Sequence, residues 1–313
     1  MNDLSADNPG SGTASVRADR DVNIRGDLVG RDKIVHGYSA EQVQGFLTTL
    51  AAQYQPHPFT GRCPYPGLGP FHEDEAALFF GRERLIRDLG QRLGPSAALV
   101  ITGPSGSGKS SLVQAGLIPA LKGGALASSP RWRYATLTPG RSPLLALGRA
   151  LTRLTGSLDA QTDLIDQAFT DPARLTRWLQ THLADDPEQK AVLVVDQFEE
   201  LFTQTPAEPE RRAFIAQLCT AVDQARESLR LVLTLRSDFI GACARYPALN
   251  ALLSQALVQV GALSPDEMLR AIAAPALQVG LRLDPELIAR LLYDGQDEPG
   301  ALPLLQFALR DLF

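Results

Sequence analysis

Apolar and polar positions along this chain alternate between two periods. Ala97–Thr102 (AALVIT) is an unbroken, β-branched apolar run, the pattern of a strand buried on both faces of a parallel sheet. Ala191–Val195 and Leu231–Leu235 repeat it, and Tyr134–Leu137 predicts a further strand. Between these runs apolar residues recur at helical spacing. Ile86, Leu89 and Leu93 follow Gly81-Arg82-Glu83; Val113, Leu117 and Leu121 recur until Pro119 disturbs the pattern; Leu144–Leu154 and Leu175–Leu183 complete the series. Strands alternating with helices imply an α/β fold, a parallel sheet covered by helices on both faces. From about Ser264 the strands stop. Residues 265–313 read as helices only, with apolar stripes at Met268 and Ile272 and then at Leu287, Ile288 and Leu291.

The N-terminal part is patterned differently. Residues 1 to about 20 are rich in Asp, Ser, Gly and Asn, the composition of a disordered leader. Arg20-Asp21-Val22-Asn23-Ile24-Arg25-Gly26 and Arg31-Asp32-Lys33-Ile34-Val35-His36-Gly37 then match at Arg, Asp, a branched aliphatic and Gly in the same offsets. Two rungs of a small β-arch or solenoid would explain the repeat, and so would a plain β-hairpin. In either case the free strand edges could pair with copies of themselves, a homotypic N-terminal partner. Residues 39–52 predict an amphipathic helix with Val43, Phe46, Leu47 and Leu50 on one face, and Pro56–Pro70 an extended linker. The expected organisation is a leader with a short β motif over 1–38, a helix and linker over 39–63, the α/β core over 64–262 and a helical region over 263–313.

Composition narrows the class. The chain has 313 residues, 44% of them hydrophobic, enough to fill a core. Its formal charge of −5 gives no global attraction for nucleic acid. Cys63, Cys219 and Cys243 lie far apart, without CxxC or Cys/His ligand spacing, so neither a disulfide framework nor a zinc site is indicated. The first residues carry no apolar signal-peptide core and no run approaches a membrane span, which makes a cytoplasmic protein the expectation.

The candidate chemistry begins at Gly103-Pro104-Ser105-Gly106-Ser107-Gly108-Lys109-Ser110, which fits the phosphate-binding pattern G-x-x-x-x-G-K-[ST]. Glycines at 103, 106 and 108 permit conformations that turn consecutive N–H groups inward around phosphate oxygens. Lys109 would reach the β- and γ-phosphates and Ser110 would ligate Mg²⁺, with Ser105, Ser107 and Ser111 completing the nucleotide-binding set. Only four of the 30 basic residues are lysines, so one at this position is less easily an accident of composition. Strand, loop and helix follow in the order the pattern requires, and the helix N-terminus adds partial positive charge at the phosphates.

Ala191–Val195 runs into Asp196, the expected position of the magnesium-side carboxylate at the carboxyl end of a strand. Where many ATPases place a water-activating glutamate directly after the aspartate, this chain has Gln197, with Glu199 and Glu200 following. Either acid could polarise water, or one of them could cap or solvate the next helix. Arg236, at the end of Leu231–Leu235, could contact the γ-phosphate, or it could pair with Asp238 or a nearby Glu.

Taken together, Pro64-Tyr65-Pro66-Gly67-Leu68, Phe79-Phe80-Gly81-Arg82-Glu83, GPSGSGKSSL, VVDQFEELF, LRSDF and Ala301-Leu302-Pro303-Leu304-Leu305 resemble the STAND class, signal-transducing ATPases with numerous domains. More narrowly they resemble its bacterial branch, novel STAND NTPase 1, over about Pro64–Phe313. The resemblance implies an AAA-like ATPase core followed by a helical and winged-helix region, binding ATP or ADP with Mg²⁺. It implies a switch that is closed with ADP and oligomeric with ATP, in bacterial defence or regulated cell death. It places Gly81 and Arg82 near the adenine and Pro303 against the base in the closed form. The Arg-Asp repeat resembles short amyloid-type signalling motifs that precede such ATPases. No repeat array follows the helical region, so a fragment lacking its sensor, and with it the sensed ligand, is the expectation. Two alternatives stand beside the switch. One is a non-hydrolysing nucleotide-bound scaffold, suggested by Gln197; the other is a winged-helix transcription regulator, against which the acidic balance speaks.

Overall fold

The computed structural model of the chain describes residues 28–30, 33–35, 38–55, 57–156, 167–183, 186, 188–295 and 300–313. The leader and the first copy of the Arg-Asp repeat lie outside the described residues. Around the second copy, β1 (Leu28–Gly30) pairs antiparallel with β2 (Lys33–Val35), Val29 opposite Ile34. This pairing joins the second copy to the segment just before it; the arrangement of the two copies relative to each other lies outside the described residues.

The core is a five-stranded parallel sheet in the order β4-β5-β6-β3-β7, built from β3 (Ala98–Gly103), β4 (Arg133–Leu137), β5 (Ala191–Val195), β6 (Leu229–Arg236) and β7 (Leu257–Gln259). Every residue of β3 and β5 is buried, because successive side chains point to opposite faces and both faces are covered. Ala98 and Val100 join one core with Leu147, Leu179 and Phe214. Leu99 and Ile101 join a second with Leu89, Leu117 and Leu121. The first core is supplied by α5 (Pro143–Thr155), α6 (Arg174–Leu183), α7 (Glu200–Thr203), α8 (Glu208–Gln224), α9 (Ile240–Cys243) and α10 (Pro247–Ala256). The second is supplied by α2 (Glu83–Leu93) and the helix that follows the loop.

That helix is not uniform. α3 (Lys109–Ser111) continues as a π-helical turn over Leu112–Leu117 before α4 (Ile118–Lys122). Pro119, where the apolar pattern is disturbed, falls in the first turn of α4 directly after the π-helical turn, and the helix changes type there without ending. The expected all-helical region is present as α11 (Pro265–Gln278), α12 (Pro285–Gly295) and α13 (Ala301–Asp311). It shares a third core with α1 (Ala40–Ala51): Val43 and Leu50 pack with Ile272, Ile288 and Leu309. A hydrogen bond from Tyr65 Oη to the Ile272 carbonyl, 2.7 Å, ties the linker to the same cluster. Among the described residues no helix is long and apolar enough to cross a membrane.

Candidate nucleotide site

Parallel register brings the carboxyl ends of three strands together. Gly103 is paired with Arg236, and Val195, paired with Leu233, leads directly into Asp196. A cavity of about 440 Å³ opens beside them, lined by the Ser105–Ser111 loop, Gln197, Glu199, Thr234 and Arg236. Its remaining walls come from the linker segment at Gly67–Phe71, from Phe79, Phe80 and Arg82, and from Ala271, Leu302 and Pro303 of the helical region. The expected loop residues, Arg82 and Pro303 thus surround one space. Gly81, Gly103, Asp196 and Glu200 lie outside its lining.

The loop is tightly packed. Gly106 adopts φ +73°, and a Cβ there would stand 3.1 Å from Gly300 Cα and 3.2 Å from the Pro303 ring, so both conformation and contact favour glycine. Lys109 is buried, and its ammonium donates to the carbonyls of Gly103 (3.0 Å) and Pro104 (2.8 Å). Burial pushes its pKa down, an effect opposed by the nearby carboxylate of Glu199. Ser111, also buried, accepts from the Phe71 N–H at 3.1 Å and so fastens the linker segment to the loop.

Asp196, 3% exposed, is held by four donors. Its Oδ1 accepts from Ser110 Oγ (2.9 Å), Thr234 Oγ1 (2.6 Å) and the Gln197 N–H (3.1 Å), and its Oδ2 accepts from Gln114 Nε2 (2.9 Å). Gln197 sits at φ +54°, an uncommon conformation for a residue with a Cβ, and its N–H also reaches Thr234 Oγ1 at 2.8 Å. Two of these partners, Gln114 and Thr234, were not among the residues expected from the sequence. A lone hydroxyl inside the apolar run LVLTL is the signal that could have revealed Thr234; Gln114 carries no comparable mark.

The two glutamates part ways. Glu199 lines the cavity and its Oε2 accepts from the Arg236 N–H at 3.2 Å. Glu200 turns instead toward the Gly140 backbone N–H; burial raises its pKa and that hydrogen bond opposes the rise. Arg236 forms a two-point ion pair with Asp238, Nε to Oδ1 at 3.1 Å and Nη2 to Oδ2 at 2.7 Å, while still lining the cavity. Arg82 is buried; its Nη2 donates to the Gly261 carbonyl at 2.8 Å. Gly81 is wedged against α11, where a Cβ would meet the Glu267 carbonyl oxygen at 2.3 Å.

Among the described residues no three His, Cys, Asp or Glu side chains cluster as a self-sufficient metal site. The Ser110–Asp196 pair suits Mg²⁺ all the same. That ion takes oxygen ligands and, in nucleotide sites, is held by one or two protein groups together with phosphates and water.

No curated protein sequence matches the chain. A Walker-type ATPase of Pyrococcus abyssi is similar in structure: TM-score 0.50, 14% identity, covering 76% of this chain and 69% of that one. The ORC2 protein of Aeropyrum pernix is similar in its ADPNP–ADP complexes, with TM-score 0.52, 15% identity, and 73% of this chain against 61% of that one. Its ADP form gives TM-score 0.53 at 15% identity, covering 73% and 60%. At such identities the likeness is one of fold, and the chain spans about three fifths of the ORC2 protein's length. The family described as novel STAND NTPase 1 matches residues 64–313, from the linker through the last helix. Sheet, loop, strand-end carboxylate and this match agree: the chain belongs to the novel STAND NTPase 1 family of P-loop NTPases.

Proposed function

We propose that this chain is an ATP-hydrolysing signalling switch, and the observation that carries the proposal is the two-sided wall of the cavity. The phosphate loop and Asp196 belong to the sheet, whereas Leu302 and Pro303 belong to the helical region and close on Gly106. A nucleotide there would touch both bodies, so exchange of ADP for ATP would bias their packing. Lys109 would leave its loop carbonyls for the β- and γ-phosphates, and Ser110 and Asp196 would hold Mg²⁺. When bound, the ion neutralises charge on the phosphate oxygens. Glu199 would take a proton from the attacking water as the γ-phosphoryl group leaves ADP, and Arg236 would contact that group. Gly81 and Arg82 would flank the base. The ATP state would assemble into homo-oligomers and gather the N-terminal β motifs for homotypic pairing, in bacterial defence or regulated cell death.

Light scattering on the eluting protein tests this, first with ADP and Mg²⁺ and then with a non-hydrolysable ATP analogue. The expected result is a larger assembly with the analogue; equal masses in both would overturn the switch. Lys109→Ala should lose nucleotide binding, and retained affinity would place the phosphates elsewhere.

A second reading is favoured by Gln197, an amide where a catalytic carboxylate is common: tight nucleotide binding without hydrolysis. Phosphate release by the wild-type protein separates the two.

A further inference from the structure

Asp196 Oδ1 is crowded by three donors, whereas Oδ2 accepts a hydrogen bond from Gln114. The Gln114 carboxamide is itself oriented from the far side: its Oε1 stands 2.8 Å from His72 Nδ1. A carboxylate only accepts, so the amide must present its NH₂ to Asp196 and its oxygen to His72; His72 must then carry its proton on Nδ1. Every link of the chain His72–Gln114–Asp196 has one permitted direction.

The placement explains how Gln114 reaches so far. It follows Ser110 by four residues, so the two project from the same side of the helix and grip the same carboxylate from two directions. It lies in the π-helical turn, a local widening of a kind often found at functional sites. His72 directly follows Gly67–Phe71, which lines the cavity, and Phe71 is fastened to Ser111. The Asp196 carboxylate and the segment that follows the cavity rim therefore share one hydrogen-bonded path.

We infer that Gln114 is a positioning residue for Mg²⁺-dependent nucleotide binding. It fixes the Asp196 carboxylate toward Ser110, and His72 makes that orientation depend on the linker segment at the cavity rim. The inference rests on the nucleotide reading of the cavity.

The test measures affinity for a fluorescent ATP analogue in chelator and across a Mg²⁺ titration, with melting temperature recorded without nucleotide. Gln114→Met keeps side-chain length and removes both hydrogen bonds. It should raise the half-maximal Mg²⁺ concentration roughly ten- to a hundred-fold, the usual effect of losing an outer-shell partner, while affinity in chelator stays within about twofold. His72→Ala, at an exposed residue, should shift the Mg²⁺ midpoint in the same direction by a smaller factor. The double variant should be no worse than Gln114→Met alone, since the path is already cut. An unchanged Mg²⁺ midpoint in either single variant overturns the inference. So does an equal loss of affinity with and without Mg²⁺, which marks a merely structural residue. If Gln114→Met does not fold, His72→Ala decides alone. A wild-type protein that binds no nucleotide under any condition removes the nucleotide reading itself, a different result from any of these.

Discussion

Thr234 donates its hydroxyl hydrogen to Asp196 Oδ1 at 2.6 Å. The same oxygen accepts the Gln197 N–H, so one side chain completes both the carboxylate and the left-handed peptide that follows it. Thr234→Val preserves shape and burial but removes one of the three donors on the buried Asp196 Oδ1 and one of the two acceptors of the Gln197 N–H. We expect a loss of about 1–3 kcal/mol in urea unfolding, the cost of an unmade buried hydrogen bond. Thr234→Ser should recover most of it. Equal stability of the Val variant and the wild type would show that the hydroxyl contributes nothing to holding the turn.

The division between the glutamates predicts a division in activity. Glu199 faces the cavity and Glu200 the Gly140 backbone. Glu199→Gln should cut phosphate release by ~10²–10⁴-fold, the contribution of a positioned base, with nucleotide affinity retained. Glu200→Gln should keep most of the rate. The reverse pattern would move the base to Glu200.

Arg230 is 7% exposed and has no carboxylate partner in hydrogen-bonding range among the described residues, yet each of its nitrogens is occupied. Nε and Nη2 donate to the carbonyls of Leu93 (3.0 Å) and Gly94 (3.1 Å), and Nη1 donates to those of Arg226 and Leu229. The guanidinium therefore caps the end of α2 and pins it to β6. Burial lowers its pKa, but a guanidinium stays charged across the working range. Arg230→Met should cost about 2–4 kcal/mol, measured by denaturant unfolding, through the abandoned carbonyls. Arg230→Lys should not rescue it, because one ammonium cannot span four carbonyls set in a fork.

The thiols give a pH signature. Burial pushes Cys219 up to about 11 and Cys243 up to about 12, from an ordinary value of 9.0. Folded-state values above the unfolded one contribute stability that is complete below pH 9 and is lost as pH rises through about 11 and 12. Unfolding free energy should fall over that window, less so in a Cys219→Ala, Cys243→Ala protein. At pH 8 a maleimide should not modify the buried Cys243 until the protein unfolds, and its rapid labelling in the native state would contradict that burial.

How much of this was legible in the sequence depended on how far each signal reaches. The strands at Ala98–Gly103 and Ala191–Val195 announce themselves because both faces are buried and every position is apolar. β7 could not: it has three residues, two of them exposed, and pairing with β3 makes it a strand. The loop lysine and strand-end aspartate were readable because phosphate chemistry fixes local spacing. Gln114 and Thr234 were not, since each meets Asp196 across a separation of 82 or 38 residues that only the assembled sheet sets. Of the alternatives the sequence posed for Arg236, the pairing with Asp238 is present, and the side chain also lines the cavity.

The contact between Gly106 and Pro303 bears on time as well as on structure. A nucleotide in this cavity would lie against α13 as well as the phosphate loop, and its release would break contacts to both. Its residence time would then depend on the packing of the helical region as well as on the strength of the phosphate contacts. A substitution far from the phosphates that loosens the shared core of α1, α12 and α13 would shorten that residence without touching Lys109.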